Sequence, residues 1–146
     1  GILKQFLEQV DWGSLDMMIV DMPPGTGDAQ LSLVQTIDLD GAVMVTTPQQ
    51  VATGDVRRGI KMFERVNTRV LGIVENMSGD VFGSGGGEAL ALEMGLPFLG
   101  RVPLDAAVAQ AGDAGAPTVV SASESEAAKA LDAVKDAVQK QLASSV

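Results

Sequence analysis

The 146 residues, 46% of them hydrophobic, have the size and composition of one compact soluble domain spanning 1–146. No run approaches the ~20 apolar residues of a bilayer-spanning helix and no signal peptide is visible, which points to the cytoplasm. Zero cysteines fit a reducing compartment and exclude disulfides and thiolate ligands, and zero histidines argue against zinc. A formal charge of -9, a pI near 4.3 and only 3% aromatics argue against nucleic acid held through phosphates or base stacking.

The chain opens on Gly1, without Met, and runs at once into the helix-like stretch Ile2 to Val10, so we expect the sequence to continue upstream. The first apolar run of strand length, Met17 to Val20, ends in Asp21 and is followed by the loop DMPPGTGD, residues 21 to 28. Ala29 to Ile37 follows as a helix carrying Leu31, Leu33, Val34 and Ile37. A second run, Ala42 to Val45, ends in Thr46-Thr47-Pro48. Val56, Ile60, Phe63 and Val66 then recur at helical spacing, with Arg57, Arg58, Lys61 and Arg65 among them. The third run, Val70 to Val74, ends in Glu75-Asn76. Gly83-Ser84-Gly85-Gly86-Gly87 precedes the helical stretch Glu88 to Met94, and the fourth run, Phe98 to Val102, ends in Pro103-Leu104-Asp105. Last comes Glu124 to Leu142, where Ala128, Leu131, Val134, Val138 and Leu142 form a helical stripe.

Strands alternating with helices predict an α/β fold, a parallel sheet with helical crossovers. The nearly continuous apolar runs predict a sheet covered on both faces. In such a sheet ligands bind beyond the carboxyl ends of the strands, so the residues closing each run are the candidates.

An Asp at a strand tip followed by a glycine-containing loop can set a carboxylate beside Mg²⁺ and a backbone N–H beside a terminal phosphate. Gly25 and Gly27 permit close approach of the main chain, and Pro23-Pro24 stiffen the loop. The alternative is a plain strand-to-helix turn with Asp28 as N-cap, which leaves Asp21 unexplained. Thr46, Thr47 and Gln49 are candidates for the phosphate side or ordinary strand-end residues. Asp55, Arg57 and Arg58 read as a helix start and a solvated basic face, with a dimer-interface role the lesser reading. The N–H groups of Gly83 to Gly87 are either an anion nest or a hinge into the next helix. The methionines read as core filling.

The segments IVDMPPGTGDAQL, VMVTTPQQVATGDVRRGIKMF, VLGIVENMSG, VFGSGGGEALA and LPFLGRVPLDAAV resemble the Mrp/ApbC family of P-loop ATPases, in the MinD and ParA superfamily. The match runs in the family's order over nearly all of residues 3 to 120. It implies a cytosolic, homodimeric, ATP-binding carrier that assembles iron-sulfur clusters or transfers them to apoproteins. Asp21 resembles the family's Walker B carboxylate, which positions Mg²⁺ through water, and Gly25 the switch glycine whose N–H faces the γ-phosphate. Asn76 resembles the asparagine that hydrogen-bonds the adenine edge. Pro103 and Leu104 resemble the segment that packs against the base.

The sequence departs from the family pattern in two places. No Gly-x-x-x-x-Gly-Lys-Ser/Thr occurs, nor the family's GKGGVGKS version, so Mg-ATP hydrolysis is not expected of these residues alone. Because that loop lies N-terminal in the family, the chain is expected to be the C-terminal half of the domain, with a sheet edge left exposed where the P-loop strand would lie. The family's Cys-x-x-Cys is also missing between ENMS and FGSGGGE, so no iron-sulfur ligands are present. Two rival readings stand beside the carrier. One is a non-catalytic dimerising scaffold. The other is a MinD-like or ParA-like positioning ATPase, against which the tail argues, being balanced in charge and poor in bulky anchors.

Overall fold

The computed structural model describes residues 2–144. Two helices, α1 (Ile2–Glu8) and α2 (Asp28–Thr36), precede the first strand, β1 (Ala42–Thr46). The chain continues through α3 (Gln50–Arg65), β2 (Val70–Ser78), α4 (Gly86–Met94) and β3 (Phe98–Pro103). It ends in α5 (Ala106–Asp113), α6 (Thr118–Ser121) and α7 (Glu126–Ala143). The strands form one parallel sheet in the order β1-β2-β3, the α/β arrangement with helical crossovers expected from the alternating pattern.

The central strand is covered on both faces as expected, whereas at β1 Val43 and Val45 are exposed and the sheet is covered on one face only. Every residue of β2 from Val70 to Glu75 is buried. Successive side chains of a strand point to opposite faces, so Ile73 and Val74 enter different cores. Ile73 packs with Ala42, Ile60, Phe63, Leu90 and Ala91, the layer built by α3 and α4. Val74 packs with Leu99 and Val102, and against them lie Leu131, Val134 and Val138 of α7. The tail stripe is therefore an internal packing face. The hydroxyl of Ser125 caps α7 by accepting from the Ala128 N–H at 3.1 Å.

Two expectations from the sequence are corrected. Met17 to Val20 is not a strand: no regular element lies between α1 and α2, and Ile19 is 87% exposed. A strand exists only where a neighbour completes its ladder of N–H and C=O groups, and among the described residues β1 pairs with β2 alone. Apolar composition supplies the wish to be buried but not the partner. Asp28 is not an N-cap either, since Gly27 holds that position without a side-chain bond. Asp28 stands instead in the first turn of α2, where a carboxylate still complements the helix dipole.

Candidate functional site

Because all three strands are parallel, their carboxyl ends meet at one edge. Thr46 is opposite Glu75, Glu75 opposite Arg101, and Ser78 opposite Pro103. Between the last two pairs, Asn76 and Met77 of β2 face Val102 alone, a bulge that shifts the register. Met77 has φ 55, a left-handed backbone that costs a residue with a Cβ of order 1 kcal/mol or more. The bulge turns the half-buried Asn76 out of the ladder, and among the described residues its carboxamide makes no hydrogen bond. Leu104 follows β3 at the same end of the sheet, its N–H donating to the Ser78 carbonyl at 2.8 Å.

Directly before the bulge stands Glu75, with 0% exposure. The Gly85 N–H donates to both of its carboxylate oxygens at 3.0 and 3.1 Å, and the Gly87 N–H donates to Oε2 at 2.7 Å. Arg101 Nε donates to Oε1 at 3.0 Å, while its Nη2 reaches Glu88 at 2.8 Å. The guanidinium also lies 5.4 Å from the centroid of the Phe98 ring. Burial pushes the Glu75 carboxyl up, but the N–H groups of Gly85 and Gly87, then Arg101 and Ser78, outweigh it. The carboxyl ends below its ordinary range.

The glycine run is thus an anion nest, and its anion is the chain's own carboxylate. Gly85 adopts φ 98, and a Cβ on Gly86 would run into the Pro48 carbonyl. A Cβ on Gly87 would come within 2.9 Å of the Glu75 Cβ. These residues are therefore a fixed seat for Glu75, which corrects the hinge reading. Upstream of them, Gly79 and Gly83 pair as an antiparallel bridge, holding Val81 at a tip where it is 70% exposed.

The structure brings Asn76, Pro103 and Leu104 together at the sheet edge and leaves Asp21 and Gly25 outside the sheet. Both are exposed, in a loop attached to α2 where Gln30 Nε2 donates to the Pro23 carbonyl. Thr46, Thr47 and Gln49 are engaged locally: Thr46 Oγ1 donates to the Thr47 carbonyl at 2.8 Å, and Thr47 Oγ1 donates to Gln49. Arg57 donates to Glu93 of α4 at 2.7 Å, and Arg58 pairs with Asp55, both pairs standing on the solvated surface of α3. No group of three or more metal-ligating side chains occurs among the described residues. Nor is any described helix long and apolar enough to cross a membrane.

The sequence marks Glu75 only as one of the strand-end candidates and gives Arg101 no role, although a signal is present. An acid closing an apolar run, an Arg inside the next strand and three consecutive glycines between them together announce a buried carboxylate with donors waiting.

A protein-family profile described as a NUBPL iron-transfer P-loop NTPase, of ParA type, matches residues 1–139. An iron-sulfur cluster carrier protein of Synechocystis is 55% identical over 92% of this chain and 41% of its own length. The mouse iron-sulfur cluster transfer protein NUBPL is 44% identical over 98% of this chain and 48% of its own. The chain therefore spans less than half the length of these curated relatives. Among solved structures, a nucleotide-binding protein from Archaeoglobus fulgidus in complex with ADP superposes with a TM-score of 0.70 at 38% identity, covering 79% of this chain and 51% of that one. The septum site-determining protein MinD from Pyrococcus horikoshii, complexed with Mg-ADP, superposes with a TM-score of 0.81. At 24% identity, covering 97% of this chain and 57% of that one, it is similar in fold alone.

Proposed function

The chain belongs to the NUBPL iron-transfer P-loop NTPase family, and we propose that it is the C-terminal, base-binding portion of an ATP-dependent iron-sulfur cluster carrier or assembly factor. The observation that carries this reading is the convergence of Asn76, Pro103 and Leu104 at the carboxyl edge of a parallel sheet, with the Asn76 amide turned out of the ladder. A carboxamide both donates and accepts, which suits the adenine edge, and Pro103 with Leu104 offers an apolar surface to the ring.

The residues fit the base end of a nucleotide better than the phosphate end. In the proposal Asp21 orients Mg²⁺ through water and the Gly25 N–H faces the γ-phosphate. Both lie in an exposed loop outside the sheet. When bound, Mg-ATP supplies a phosphoanhydride that water can cleave, by electrostatics and positioning. The lysine-bearing loop that cradles phosphates is not among these residues, so hydrolysis is assigned to the longer protein of which this chain forms part.

The cluster is cargo in this reading, and iron-sulfur apoproteins are its recipients. With no Cys and no His in the chain, thiolate and imidazole ligands must come from elsewhere in a proposed homodimer or from a partner. That same absence favours a second reading, a dimerising scaffold that has kept the fold without the chemistry. The positioning-ATPase reading has less support, because the apolar stripe of α7 is spent on Val74, Leu99 and Val102.

The test is equilibrium binding of ATP to the complete protein and to its Asn76→Ala variant. The affinity is expected to fall about tenfold, the worth of a hydrogen-bonded amide in a desolvated pocket. Equal affinity would remove Asn76 from the site.

A further inference from the structure

We infer that Glu75 is the positioning residue of the base-recognition edge: its carboxylate, held in the glycine nest and by Arg101, fixes Asn76 and the Pro103–Leu104 segment in one frame. The inference rests on the nucleotide reading above and names the group that makes that edge rigid.

Asn76 and Met77 form the bulge, and both ends of it are pinned. At one end Glu75 is bonded to the first residues of α4 and to Arg101 of β3. At the other, the Ser78 carbonyl accepts from the Leu104 N–H at 2.8 Å, and the Ser78 and Ser84 hydroxyls are hydrogen-bonded to each other at 3.0 Å. A left-handed Met77 persists only where its surroundings overdetermine it, and these two posts do so. Arg101 lies two residues before Pro103 on β3, so the same ion pair that holds Glu75 also ties down the strand leading to Pro103 and Leu104.

Energetics argue that the carboxylate serves position more than stability. Burying a charge carries a desolvation cost that its partners only repay, and a well-packed apolar residue at such a place is often neutral or stabilising. An apolar residue, however, would leave the N–H groups of Gly85 and Gly87 without an acceptor and would remove the polar tie between the start of α4 and β2. Only an anion collects donors from α4 and β3 at one point next to Asn76.

The test compares ATP with inorganic tripolyphosphate, which has no base, as ligands of the complete protein. Glu75→Gln is expected to weaken ATP binding about tenfold while tripolyphosphate binding stays within about twofold, since a positioning error acts on the base alone. Glu75→Asp should recover part of the ATP affinity, and Glu75→Gln combined with Asn76→Ala should lose less than the sum of the two single losses. Equal losses for both ligands, or unchanged ATP affinity in Glu75→Gln, would overturn the inference. If Asn76→Ala is silent, the nucleotide reading itself fails; if Asn76→Ala weakens ATP but Glu75→Gln does not, only the positioning role fails. Should Glu75→Gln not fold, Arg101→Gln takes its place. It is expected to lower ATP affinity several-fold and leave tripolyphosphate unchanged, and equal affinities for ATP would then reject the role.

Discussion

Glu75 shows what a single residue contributes when the chain supplies its own counterparts. In the unfolded chain its carboxyl is an ordinary one, with a pKa of about 4.3. In the folded protein burial raises it, the Gly85 and Gly87 N–H groups, Arg101 and Ser78 lower it, and the net shift is downward. A carboxyl whose folded pKa is depressed contributes stability above its unfolded value and loses that contribution as pH falls through the folded value. Wild type should therefore lose melting temperature below about pH 4 more steeply than Glu75→Gln, which has no charge to lose. At pH 7 the variant should be less stable by roughly 1–3 kcal/mol, because one oxygen of the acceptor pair becomes an amide N–H facing donors. Melting curves of both proteins from pH 3 to pH 7 decide it, and parallel slopes would mean the carboxylate is not held as described. At this scale the sequence was half legible. The sequence leaves Gly83 to Gly87 open between an anion nest and a hinge, because a glycine run is visible in sequence and the carboxylate that occupies its N–H groups is not.

At the scale of elements, legibility followed the number of neighbours each element needs. Helices α3 and α7 announce themselves by periodicity within their own residues, and the structure buries the stripes so marked. The runs at Ala42, Val70 and Phe98 became β1, β2 and β3, whose sheet places β2 in the middle. Met17 to Val20 has the same composition and is not a strand, since sheet membership belongs to a pair of segments and composition belongs to one. The bulge at Asn76 was illegible for a similar reason: it is a mismatch in count between β2 and β3. The two kinds of apolar run separate experimentally in a polypeptide of residues 1–146. Ile73→Ala, from a site with 0% exposure, should cost about 2–5 kcal/mol. Ile19→Ala, at 87% exposure, should stay within about 0.5 kcal/mol. Urea unfolding of the two variants measures this, and comparable losses would mean that Met17 to Val20 is packed like a strand.

For the whole molecule, the sheet ends at β1, whose Val45 is 56% exposed, and the curated relatives run to more than twice the matched length. Both facts support the proposal that further residues complete the domain on the β1 side, and they explain why the proposed site divides as it does. Its base end is assembled from β2 and β3 inside this chain. Its phosphate end depends on Asp21 and Gly25, which stand in a loop with no ladder neighbour among the described residues. Asp21 is exposed and makes no hydrogen bond or ion pair among the described residues. If that carboxylate orients Mg²⁺ in the complete protein, Asp21→Ala should leave the melting temperature unchanged. It should lower Mg-dependent ATP hydrolysis about a hundredfold, the usual scale for losing one preorganised electrostatic contact. Steady-state phosphate release measured beside thermal melting separates the two effects. Wild-type turnover in that variant would sink the Mg²⁺ assignment. It would leave Asn76 and Glu75 untouched, because the proposal sets them at the base end of the nucleotide, on β2.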